Sequence, residues 1–156
     1  MAADPIDEQT HLDAEATITS FGYRKPENID RGKGYIRLIS SPVIKGVVQV
    51  VKKHGGENNL HYHTSVDTFW MVLKGKVKFY GPGDVLIGEF GPHEGTITPR
   101  YSRYWFENSG EEDLELLQVA ASYAKDQKNS GRTDVSEQKF KIATGAMFDA
   151  GKPAAG

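Results

Sequence analysis

The chain is punctuated too often to hold long helices. Between residue 35 and residue 122 the runs "YIRLIS", "VIKGVVQVVKK", "LHYHTS", "TFWMVLKG", "KVKFY", "VLIGEF", "TITP", "RYWFEN" and "LELLQVAAS" are separated by "HGGENN", "GPGD", "GPHEG" and "SGEED". Each run is short, β-branched or aromatic. Each break is rich in Gly, Pro, Asn and Asp, which is turn chemistry. No 3.6-residue apolar period is sustained before residue 120, so an amphipathic helix has nothing to build on. The pattern predicts an all-β sandwich or barrel over residues 17–121. "ATITSFGY" adds one further short strand near its start. Residues 1–16 read as a flexible polar arm. Residues 122–156 read as a C-terminal extension, polar at first and then small-residue-rich, that packs loosely or is disordered at its end.

Period-two alternation then assigns faces. In extended chain His61 and His63 project to one side and Tyr62 to the other. Thr68, Trp70 and Val72 share one face of the next strand, and Phe69, Met71 and Leu73 the other. Both faces of that strand are apolar. One suits a barrel interior and the other a second layer or a partner subunit.

Charge and composition remove several function classes. There are 19 basic and 21 acidic residues, interspersed, which advertises no face for nucleic acid or an anionic membrane. There is no cysteine, so thiolate ligands, disulfides and cysteine nucleophiles are excluded. The acidic start lacks the basic and apolar regions of a secretory signal, and no apolar run approaches the roughly 20 residues that span a bilayer. A cytoplasmic location is expected. "DRGKG" and "YGPGDV" lack the strand–loop–helix context of phosphate loops and read as turns. No serine sits on a nucleophile elbow.

"GGENNLHYHTSVDTFWMVLKG" resembles the first motif of the cupin superfamily: Gly, five residues, His-x-His, four residues, Glu, six residues, Gly. Gly55, His61, His63 and Gly75 fall on that spacing, and Thr68 stands where the family has glutamate, with Asp67 before it. The second motif, Gly, five residues, Pro-x-Gly, two residues, His, three residues, Asn, is matched by Pro99 and Asn108. His93, Tyr101 and Tyr104 stand at its glycine, glycine and histidine positions. The likeness covers about residues 35–120. It implies a double-stranded β-helix, a jelly-roll-like barrel, whose interior holds a divalent metal such as Fe, Zn, Mn or Ni.

On that frame His61 and His63 are the retained ligands and Tyr104 is the best-placed third, as a phenolate or as a catalytic group. Asp67 would need a bulge to turn inward. His54 lies in the preceding turn, and His93 in "GPHEG" suits the surface. Gln49, Thr68, Trp70, Phe79, Phe106 and Gln118 are expected to line a substrate pocket. Arg100, or Arg103, could pair with a substrate carboxylate, and with Lys78 they are the cations available to a sugar-phosphate site. The resemblance implies dioxygenase, lyase or isomerase chemistry on a small organic substrate. The alternative is a non-catalytic small-molecule binder with a metal-free site. A homodimer is the expected assembly.

Overall fold

A computed structural model describes residues 2–123, 130–135 and 145–154. Among these residues lie one α-helix, α1 (Glu8–Glu15), a short 3-10 turn (Pro82–Asp84) and eleven strands: β1 (Lys33–Ser40), β2 (Ile44–Val51), β3 (His61–His63), β4 (Val66–Lys74), β5 (Val77–Tyr80), β6 (Leu86–Phe90), β7 (Gly95–Thr98), β8 (Trp105–Asn108), β9 (Leu114–Ser122), β10 (Arg132–Asp134) and β11 (Ala146–Asp149). The larger sheet runs β11-β1-β2-β9-β4-β7. Facing it are the ribbon β10-β3 and the sheet β6-β5-β8. An isolated bridge between His61 and Tyr104 joins the ribbon to the chain entering β8.

The interior between the layers has two halves. One is dry: Val51, Val72, Leu114 and Leu116 from the large sheet meet Val77, Phe79 and Phe106, with Trp70 and Tyr104 at its border. The other half holds polar side chains and is described below. A second apolar cluster lies on the opposite face of the large sheet, where Ile36, Val48 and Val50 are covered by Ile29, Tyr23 and Phe148. Alternation along β4 follows the sequence reading. Thr68, Trp70 and Val72 are buried, whereas Phe69 is 48% exposed on the outer face.

Two of the motif glycines have steric reasons. Gly75 turns the chain at φ 91°, where an added Cβ would crowd Leu114. Gly55 lies against the Gly32 backbone, so that a Cβ on Gly55 would sit 2.8 Å from the Gly32 Cα. Asn108 is buried and spans the "SGEED" turn, its amide donating to the Val51 and Glu112 carbonyls and its oxygen accepting from Gly110 N–H.

Three expectations need correction. "ATITSFGY" forms no strand; only Gly22 pairs, in one bridge to Gly151. Its β-branched residues find no neighbouring strand there, and propensity without a pairing edge does not make a strand. The polar arm contains α1, capped by Asp7 accepting from Thr10 N–H, and none of its residues is buried. The C-terminal extension is not uniformly loose. β11 pairs in parallel with the edge strand β1, and β10 pairs antiparallel with β3. The expected disorder at its end falls partly on residues 124–129, 136–144, 155 and 156, outside the described residues.

Candidate functional site

The polar half of the interior encloses a cavity of about 170 Å³, lined by Lys33, Tyr35, Gln49, Asn58, His61, His63, Trp70, Tyr104, Gln118, Ser130 and Arg132. Strand geometry collects these groups. Lys33 and Tyr35 alternate on β1, Gln49 lies opposite Tyr35 on β2, and Gln118 lies opposite Trp70 across β9 and β4. From the facing layer β3 contributes His61 and His63, and β10 lays Arg132 opposite His63.

His61 is 2% exposed and its Nδ1 donates to the Asn59 carbonyl at 2.7 Å, which leaves Nε2 with its lone pair. Burial, helped by the Arg132 charge, pushes its pKa down to about 4, so the ring is neutral. His63 Nδ1 meets the Ser130 hydroxyl at 2.8 Å, and burial lowers its pKa too. The two rings lie 5.1 Å apart by their centroids, and the Tyr104 ring lies 4.5 Å from His61. Burial raises the Tyr104 phenol to about 12, against a bond with Thr98 that favours the phenolate. It is therefore a neutral hydroxyl. Trp70 Nε1 donates to the same Thr98 hydroxyl at 2.9 Å.

Two cations share this space. Lys33 is 5% exposed, with its ammonium 5.1 Å from the Phe106 ring centre and 5.7 Å from that of Tyr35. Its pKa is lowered to about 8, first by burial and then by Arg132, while Glu57 opposes the shift. Arg132 stands at the rim, paired with Asp134 at 3.1 Å. Lys33, Tyr35, Asn58 and Arg132 also line a smaller adjoining pocket that reaches Glu57. No carboxylate lines the main cavity among the described residues.

Of the residues singled out in the sequence, His61, His63, Tyr104, Gln49, Trp70 and Gln118 line this one cavity. It puts other candidates elsewhere. Phe79 and Phe106 pack beneath Trp70 in the dry core, at ring separations of 5.6 and 5.3 Å. Thr68 is buried opposite Thr98 and Ala120, away from the cavity lining. Arg100 lies outside the cavity, because its guanidinium stacks 3.7 Å from the Tyr123 ring centre and its backbone N–H is held by Asp67. Asp67 faces outward, bonding Tyr123 as well. His54 and His93 are exposed in turns.

Sequence reasoning missed Lys33, Tyr35, Asn58, Ser130 and Arg132. For Lys33 and Tyr35 a signal existed, since alternation puts both on the face of β1 opposite Ile36. Ser130 and Arg132 carried none, because the pairing of β10 with β3 spans almost 70 residues of chain.

The donor set does not fit a divalent metal well. A metal would find two imidazoles, a phenol in place of the third, and a lysine and an arginine instead of a carboxylate. Non-haem iron sites typically add a carboxylate to two imidazoles, and no carboxylate lines this cavity among the described residues. Among the described residues no three His, Cys, Asp or Glu converge on one point.

No family model matches the sequence, and no curated protein matches it. Solved structures do match in three dimensions. KdgF from Halomonas sp. aligns with a TM-score of 0.59 at 15% identity, over 70% of this chain and 98% of that one. An RmlC-like cupin protein from Desulfovibrio desulfuricans aligns at 0.54 and 21% identity, over 67% and 96%. The Lactobacillus farciminis oxalate decarboxylase, solved as a formate complex, aligns at 0.51 and 16% identity, over 71% of this chain and 33% of that one. At these identities the likeness speaks for architecture alone: the chain has the double-stranded β-helix fold of the RmlC-like cupins.

Proposed function

We propose that this protein binds a small organic anion in its interior cavity, without a metal ion. The observation that carries the reading is the buried Lys33, joined by Arg132, in a cavity whose described lining has no carboxylate. A buried ammonium with a depressed pKa is costly in the empty protein, and a ligand carboxylate would relieve that cost. The guanidinium adds a planar fork suited to a carboxylate, although Asp134 competes for it. Asn58 and Ser130 supply further polar groups at the wall. His61 Nε2 and the Tyr104 hydroxyl, both neutral, are the groups placed to hold or pass a proton if the bound molecule reacts.

The test is a thermal-shift and calorimetry panel of short carboxylates against their amides, with metal analysis of protein purified without added metal. Stabilisation by the acids alone, lost in Lys33→Met, is the expected result. Near-stoichiometric metal that disappears in a His61→Ala, His63→Ala double variant would overturn the reading in favour of a metalloenzyme.

The outer face of the large sheet bears on assembly. Ile44, Phe69 and Ile97 are about half exposed, and Phe69 lies beside both Ile97 and Val119 in the ladder. A second copy of the chain is the proposed cover, since a C2 contact buries one self-complementary patch on both subunits.

A further inference from the structure

Resting on the anion reading above, we infer that the ligand is a short 2-oxo acid held covalently: its carboxylate meets Arg132, and its carbonyl carbon forms an imine with the Lys33 amine. Among the described residues Lys33 Nζ has no hydrogen bond and no ion pair, and Glu57 acts on it through charge alone. What it faces are the rings of Phe106 and Tyr35, at 5.1 and 5.7 Å. The nitrogen is not walled in, because the fully enclosed side-chain atoms without a partner are Gln49 Oε1 and Ser109 Oγ. Lys33 as a whole is 5% exposed, so the surface that its nitrogen keeps opens into the two spaces it lines, the main cavity and the smaller pocket beside it. A lysine desolvated among apolar groups, or set beside a second cation, is the kind whose free amine attacks carbonyl carbon. Lys33 meets both conditions. With its pKa brought from 10.5 to about 8, a useful share of it is unprotonated at neutral pH.

Arg132 selects the class of carbonyl compound. It lines both spaces together with Lys33, and its charge is the second cause of the lowered Lys33 pKa, so the two side chains stand close. In a 2-oxo acid the carboxylate is bonded directly to the carbonyl carbon. One small molecule can therefore offer its anion to the guanidinium and its electrophilic carbon to the amine. The guanidinium stays charged while the amine gives up its proton, which keeps the two roles apart. The nitrogen lone pair adds to the carbonyl carbon as the C=O π pair moves to oxygen. A proton passes from nitrogen to that oxygen, giving a carbinolamine. A further proton lets the hydroxyl leave as water while the nitrogen pair closes the C=N bond. One water is released, and nothing is oxidised or reduced. Tyr35 lines both spaces, and burial raises its phenol, so it is a neutral hydroxyl available to donate to the carbonyl oxygen. About 170 Å³ holds some six waters at ~30 Å³ each, enough for an acid of a few carbons.

Pyruvate and 2-oxobutyrate test this, each with sodium cyanoborohydride at neutral pH, read by intact mass and peptide mapping. Hydride adds to the C=N bond and makes the adduct permanent. The wild-type protein should give one dominant reduced adduct, on Lys33, formed at least tenfold faster than on any other lysine. Excess lactate should suppress it, and Lys33→Met should leave only the slow background. Pyruvamide, which has the same carbonyl without the charge, should label Lys33 at least tenfold more slowly than pyruvate. In Arg132→Ala that advantage of pyruvate should shrink to within about threefold, and the wild-type comparison stands by itself if the variant misfolds. Adducts spread over exposed lysines with no preference for Lys33, or equal labelling by pyruvate and pyruvamide, would each overturn the inference. Lactate and propionate would still stabilise the protein in that case, leaving the anion reading intact. Failure of every carboxylate to bind would overturn both.

Discussion

At the scale of single residues the site is expensive to keep. Lys33 forgoes most of its hydration, and its pKa near 8 shows the ammonium is disfavoured where it lies. Lys33→Met should raise the melting temperature at neutral pH, by roughly 1–3 kcal/mol in stability, and abolish the carboxylate-induced thermal shift. A variant that loses stability with ligand binding unchanged would contradict the assignment. His61 makes the protein acid-sensitive. Its pKa falls from 6.5 to about 4 on folding, so below pH 6.5 the unfolded chain takes up a proton that the native ring refuses. The stability present above pH 6.5 is therefore lost as the pH drops toward 4, by up to about 3 kcal/mol. Urea melts across that window should show the loss, and His61→Gln should flatten it. Tyr101 is a different kind of cost. It holds φ 71° at the place where the cupin pattern has glycine, with its N–H donating to the His63 carbonyl. Tyr101→Gly should stabilise the turn by about 1 kcal/mol, less whatever the Arg100 stacking contributes.

Among the elements, β4 was legible and β10 was not. The alternation in "TFWMVLKG" assigns Trp70 and Val72 inward and Phe69 outward from local chemistry, because successive strand side chains must point to opposite faces. The outward face leads to a measurement. Phe69→Glu should convert the expected homodimer to monomer in size-exclusion chromatography with light scattering, with little change in unfolding midpoint. A wild-type monomer would remove the proposed cover. By contrast, "GRTD" looks like a polar turn, and nothing local marks Arg132 as a cavity residue. Its position comes from pairing with β3, and its influence reaches His61, His63, Lys33 and Tyr104. Arg132→Ala should accordingly weaken carboxylate binding by tenfold or more, measured by calorimetry, without altering the fold.

For the whole molecule, the dry and polar halves of the barrel meet at Trp70. Its ring packs on Phe79 and Phe106, its Nε1 bonds Thr98, and the same buried side chain lines the cavity. Trp70→Ala should cost about 3–5 kcal/mol and enlarge the cavity, read as a lower chemical-denaturation midpoint. What the sequence determined by itself was the all-β architecture, the shared face of His61 and His63, and the glycines at tight places. Each of these follows from turn chemistry, period-two alternation or a short motif, all of which act over a few residues. Tertiary structure alone decided that Lys33 is buried beside the imidazoles, that Arg132 closes over them, and that Arg100 is drawn away to Tyr123. Those outcomes depend on which distant strands pair and how much water their contact excludes, and desolvation is a property of the assembled interior rather than of any segment.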